Sequence, residues 1–164
     1  MSVEENTAVV SRYVEQVLNQ QNIAALDTLL APAFVHGVEG RGISGQAAAL
    51  QSRFTAFPDA HVTLEHMMAD GEQVAVRATW HGTHRQEWLG VPASNHEVTW
   101  GIMSFFRVEH GKIAHIWAIE DAAALQRQLR EARARVESGN GHTHANSNGN
   151  GKSASQSRPT AAGN

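Results

Sequence analysis

The chain has 164 residues, 41% of them apolar, with a formal net charge of −3 and no cysteine. That length suits one globular core, and interspersed charges of both signs leave no footprint for nucleic acid or an anionic membrane. Without cysteine, disulfides, thiolate nucleophiles and cysteine-based zinc sites are excluded. The first residues, Met1-Ser2-Val3-Glu4-Glu5-Asn6, are acidic and lack the apolar core of a secretory signal. No apolar run approaches the roughly 20 residues that span a bilayer, so a soluble cytoplasmic protein is expected.

Helical periodicity comes first. Val9, Val10, Tyr13, Val14, Val17 and Leu18 recur on one face, with Asn6 or Thr7 as the expected cap and Asn19-Gln20-Gln21-Asn22 as the end. Asn22 can cap a short second helix carrying Ala25, Leu26, Leu29 and Leu30, which Pro32 closes. Ala33 to His36 reads as a short strand, and the four glycines between Gly37 and Gly45 as a loop. A third helix, about 44–56, points Ala47, Leu50 and Phe54 inward and stops at Phe57-Pro58-Asp59.

The period then drops to two. His61 to Ala69 is a strand, Asp70-Gly71 a hairpin turn, and Val74, Val76, Ala78 and Trp80 alternate with polar neighbours on the next strand. A connection over 86–95 leads to a long strand from His96 to Val108, and His110-Gly111 turns into a fourth. A helix with Leu125 and Leu129 on its buried side follows Asp121. From about Ser138 the composition falls to Gly, Asn, Ser, His and Ala, which cannot offset ordering entropy. The chain therefore divides into a domain at 1–136 and a tail at 137–164 expected to be disordered. Three helices, antiparallel hairpins and a last helix make an α+β fold, with a curved sheet enclosing a conical cavity.

The fourth strand carries the chemistry. In a regular strand His115, Trp117 and Asp121 share the inward face with Ile113 and Ile119, while Glu120 points the other way. An imidazole, an indole and a carboxylic acid among isoleucines suit a pocket that binds an apolar ring system and moves a proton. A carboxyl group in such a pocket has its proton affinity raised towards neutrality, where acid/base work is efficient. Asp121 is also well placed simply to cap the following helix.

Several motifs, in this order and spacing, resemble the SnoaL-like polyketide cyclases, cone folds of the nuclear-transport-factor-two-like superfamily. They are Glu5-Asn6, Phe34-Val35-His36, Phe57-Pro58-Asp59, Gly82-Thr83-His84, Gly90-Val91-Pro92, Phe106-Arg107-Val108, and Gly111-Lys112-Ile113 followed by Trp117, Asp121 and Gln128-Leu129. The resemblance spans about residues 5–132. It implies a cofactor-free intramolecular aldol condensation, with an aspartate at the end of the last strand, here Asp121, as general acid/base. His115 stands where the family usually has glutamate.

His115 is the candidate catalytic partner, or a satisfied core histidine. Tyr13, His36, Trp80, Trp100 and Trp117 are the candidate substrate-binding residues, Tyr13 being more readily explained as core, and Trp88 could form part of a lid. Ten histidines invite a metal, but the folded part holds no His-x-His or His-x-x-x-His pair with a carboxylate at ligand spacing, so no metal is expected. No nucleophile elbow or phosphate-loop spacing occurs.

The expected function is an enzyme acting on a hydrophobic, carbonyl-bearing small molecule by ring closure or a related isomerisation, without cofactor, as a homodimer. The alternatives are a hydratase or epoxide-opening hydrolase on the same fold, and a non-catalytic binding or dimerisation module.

Overall fold

The computed structural model describes residues 2–38 and 40–139. Helix α1 (Val3–Arg12) begins at Ser2, whose hydroxyl accepts the Glu5 N–H while the Glu5 carboxylate accepts the Ser2 N–H. This reciprocal capping box is the cap, in place of Asn6 or Thr7. Asn6 is instead buried, and its Nδ2 donates to the Gly71 carbonyl at 2.8 Å. The helix runs on as a π-helical segment, Tyr13–Asn19. The pairs Val9/Val10, Tyr13/Val14 and Val17/Leu18 recur every four residues, a longer step than the 3.6 of an α-helix. The wider turn keeps all of them buried.

A 3-10 turn (Ile23–Ala25) leads through α2 (Leu26–Leu29) into β1 (Leu30–His36). Pro32 lies inside this strand, where the ladder is interrupted between the Leu30 and Val35 pairings, a position that needs no N–H. The remaining elements are α3 (Ile43–Ala56), β2 (His61–Asp70), β3 (Gln73–Thr83), β4 (Glu97–Glu109), β5 (Lys112–Glu120) and α4 (Ala122–Gly139). The expected tail meets the described residues only at the end of α4; residues 140–164 lie outside them. The strands form one curved, unclosed sheet in the order β1-β5-β4-β3-β2, parallel between β1 and β5 and antiparallel elsewhere. Against it pack α1 on β2 to β5, α3 on β1, and α4 on β4.

Two side-chain amides stand in for missing strands. Asn19 accepts the Val62 N–H at 2.7 Å and donates to the Val62 carbonyl at 3.2 Å. Gln128 does the same at Thr99, where β4 outruns β5, accepting at 3.1 Å and donating at 2.6 Å. Each satisfies a backbone pair that would otherwise invite another chain. The Phe57-Pro58-Asp59 and Gly82-Thr83-His84 motifs dock on each other: Asp59 accepts from the Thr83 N–H at 2.7 Å and the Thr83 hydroxyl at 2.6 Å.

The decisive irregularity lies in β5. Val108 pairs with Ile113, but Arg107 pairs with His115, so Ala114 is an extra residue. A one-residue bulge moves every later side chain to the other face. Ile113 is buried, then Ile116, Ala118 and Glu120 turn inward opposite Phe106, Ser104 and Ile102, while His115, Trp117 and Ile119 turn outward opposite Arg107, Phe105 and Met103.

Glycine at position 82 reflects a close approach, since a Cβ there would lie 3.0 Å from the Phe57 Cβ. Gly82→Ala is expected to lower unfolding free energy by about 1–3 kcal/mol through overpacking, read from urea denaturation; an unchanged midpoint would refute this contact.

Candidate active site

The bulge redistributes the residues singled out in the sequence. Tyr13, Trp80 and Trp100 are buried beneath the helices, and half-buried His36 joins them. The outward group is a correction. His115 and Trp117 stack on each other on the far face, 3.5 Å between centroids and 10° between planes, and Trp117 is exposed. Asp121 is exposed as well. Its Oδ1 accepts the Ala124 N–H at 2.9 Å, the bond of an N-cap, and it borders an open hollow of about 420 Å³ on the outer face. The extra residue at Ala114 is the physical reason for all three displacements.

The carboxylate inside the cone is Glu120. Arg53 of α3 grips both its oxygens, Nη1 to Oε1 at 2.7 Å and Nη2 to Oε2 at 3.0 Å, and the Trp100 Nε1–H donates to Oε2 at 3.2 Å. The Arg53 guanidinium lies 4.8 Å from the Trp80 ring and 5.8 Å from both Trp88 and Trp100. Trp80 and Trp100 are directly paired in the ladder and stack at 5.8 Å and 7°, with Phe57 5.2 Å from Trp100. The third indole of the cluster is therefore Trp88, not Trp117. Cation–π attraction is strongest where water is scarce, and the Arg53 and Glu120 side chains keep only 16% and 26% of their surface. The buried Trp80 Nε1–H has no partner among the described residues.

A second polar group lies in the same interior. The Gln46 Nε2–H donates to the Tyr13 hydroxyl at 2.8 Å, and the Gln46 carbonyl oxygen lies 2.5 Å from His36 Nδ1. An amide oxygen only accepts, so His36 carries its proton on Nδ1. Burial holds the His36 imidazole below its usual proton affinity, and burial drives the Tyr13 phenol up to about 12. Glu120 and Arg53 are near enough to pull on His36 and Tyr13 respectively, which makes the clusters one electrostatic unit.

Gln46, Arg53 and Glu120 were not singled out from sequence. Gln46 and Arg53 bracket the stripe of Leu50 and Phe54 at helical spacing, so polar residues on an inward stripe were the available signal. Glu120 had none, because a bulge leaves no mark in an alternating strand.

The SnoaL-like polyketide cyclase family profile matches residues 8–129. Among solved structures, TsrD from Streptomyces laurentii is 27% identical, with a TM-score of 0.72 over 79% of this chain and 97% of that one. A SnoaL-like polyketide cyclase from Agrobacterium tumefaciens is 25% identical, with a TM-score of 0.68 over 79% of this chain and 99% of its own. AclR from Streptomyces galilaeus, a candidate hydroxylase, shares the fold at 23% identity and a TM-score of 0.72, over 79% and 98%. Comparison with curated proteins gives no match. Among the described residues no helix is long and apolar enough to cross a membrane.

His84 is a separate buried histidine, stacked on Phe57 at 5.6 Å and accepting the Ser94 N–H on Nδ1 at 3.2 Å, with Nε2 unpartnered. Burial lowers its proton affinity, as at His36. Below the unfolded histidine value of about 6.5 the unfolded chain takes up protons that the folded chain refuses, so stability falls with falling pH. Denaturation midpoints are expected to hold above that pH and drop below it, less steeply in His84→Gln; a flat profile down to pH 5 would contradict the burial of both rings.

Proposed function

Because the chain belongs to the SnoaL-like polyketide cyclase family, we propose that it is an acid/base enzyme acting on a hydrophobic, planar carbonyl compound at the polar rim of its cone. The reaction is an intramolecular aldol ring closure or a related isomerisation. Glu120 takes the part expected of Asp121: it is the carboxylate on the inward face, beside three indoles suited to flat rings. That placement is the single observation that carries the reading. Phe57 and Trp80 fill the inner end of the cone, so the substrate sits outward of them, where Glu120, Arg53 and His36 keep part of their surface. Arg53 supplies the counter-charge of Glu120 through two hydrogen bonds, and a low-dielectric wall strengthens each charge.

The outer sheet face supports self-association. Met68, Met103, Phe105, Trp117 and Ile119 are exposed together there, with the Glu65–Arg77 ion pair supplying both signs of charge for a two-fold partner. Contiguous apolar patches of this kind mark interaction surfaces, and a second copy of the chain is the occupant that matches on both counts. Light scattering is expected to give a dimer mass, and Phe105→Asp a monomer; a monomeric wild-type protein would overturn this pairing.

The enzyme reading is tested by following deuterium exchange at the carbon beside the carbonyl of 2-tetralone in D2O. Glu120→Gln is expected to slow the catalysed exchange 10²-fold or more. Asp121→Ala is expected to leave it within about twofold while lowering stability by about 1 kcal/mol through the lost cap. Retained exchange in Glu120→Gln with loss in Asp121→Ala would return the role to Asp121, and no catalysed exchange at all would favour the non-catalytic binding module.

A further inference from the structure

We propose that the Tyr13 hydroxyl is the acid of this site, donating to the oxygen of the bound carbonyl compound, with Gln46 and His36 as positioning residues behind it. The inference rests on the reading of the cone interior as the substrate site. It comes from the direction of one hydrogen-bond chain. His36 Nδ1–H donates to the Gln46 carbonyl, and the Gln46 amide N–H donates to the Tyr13 oxygen. Every proton in the chain points towards Tyr13, which leaves the phenolic O–H free to donate outside it. Chains of this kind polarise their members cooperatively, and here the polarisation favours negative charge on the phenolic oxygen.

The surroundings fix the group in place. Gln46 and Tyr13 are buried, and the Tyr13 ring meets Phe106 edge-on at 5.9 Å. Tyr13 opens the π-helical segment Tyr13–Asn19, a rare geometry often found at functional sites. Backbone bonds in both directions join His36 to Arg41, at 2.8 and 3.2 Å, so the imidazole rides on a pinned strand end. The charged and titratable groups around His36 are Arg41, Glu120 and His115, and Arg53 faces Tyr13.

The division of labour is then complete. Glu120 removes the proton from the carbon beside one carbonyl, and the C–H pair passes into the enolate. The enolate carbon attacks the second carbonyl, forming the C–C bond, and the displaced π pair becomes an alkoxide. Tyr13 gives that alkoxide its proton, and the proton held by Glu120 restores the phenol through solvent, so the ring closure consumes nothing. A phenol at about 12 stays protonated at neutral pH and is still a stronger acid than the aliphatic alcohol that the alkoxide becomes.

Tyr13 is the only tyrosine of the chain, so 13C labelling at tyrosine Cζ gives a single resonance. Two planar probes separate the arms: 9-fluorenone, which has a carbonyl, and fluorene, which has none. Both should quench the fluorescence of the tryptophan cluster, with fluorenone bound about 10-fold tighter, and only fluorenone should move the Cζ resonance. Tyr13→Phe should erase the preference while keeping fluorene binding, and 15N spectra of Gln46→Leu should show His36 shifting its proton from Nδ1 to Nε2. Fluorenone quenching with an unmoved Cζ resonance would overturn this inference and leave the substrate site standing. Quenching by neither probe would overturn both.

Discussion

One extra residue in β5 decides which chemistry the cone contains. With Ala114 unopposed in the ladder, the strand after it shows its even-numbered side chains to the helices. Glu120 then reaches Arg53 and Trp100, and Asp121 reaches the first turn of α4 instead. Removing the bulge in thought would place Trp117 and Ile119 in the core, turn Glu120 away from Arg53 and part the ion pair. A half-buried guanidinium in that position is strongly unfavourable, so the bulge, Arg53 and Glu120 form one unit. The apolar outer face is its other consequence, because the same shift puts Trp117 and Ile119 beside Met103 and Phe105.

The interior is polar where a plain core would be apolar. Breaking either member of the Arg53–Glu120 pair leaves a charge uncompensated, whereas an apolar pair of the same shape would be stable. The same holds for the Tyr13–Gln46–His36 chain, whose members are satisfied only by one another. Buried networks of this kind carry their stability at some risk, since a partly satisfied one is worse than none. Their joint presence beneath the sheet of a SnoaL-like polyketide cyclase family member supports a site for proton transfer.

Much of this was legible in the sequence. The stripe on α1, the strands β2 to β5 and the turn at Asp70-Gly71 follow from periodicity alone, because burial of one face imposes the period. Tyr13, Trp80 and Trp100 were placed inside by the same rule, and His36 by its position before the glycine loop. The rule failed at β5, where alternation was carried through a residue that breaks it. Val-, Ile- and Ala-rich strands look the same with or without a bulge, and only pairing with β4 reveals the slip. Gln46 and Arg53 were overlooked for a different reason: polar residues on an apolar stripe read as solvent-facing until the opposite wall supplies their partners. Asp121 kept both of its weighed readings in the sequence, and the structure realises the cap.

The most direct measurement is a double-mutant cycle between Arg53 and Glu120, using Arg53→Met, Glu120→Gln and the double variant in urea denaturation. An inward Glu120 gripped by Arg53 gives a coupling of about 1–3 kcal/mol. Additivity within about 0.5 kcal/mol, or a larger coupling in the parallel cycle between Arg53 and Asp121, would contradict the reversed face of β5.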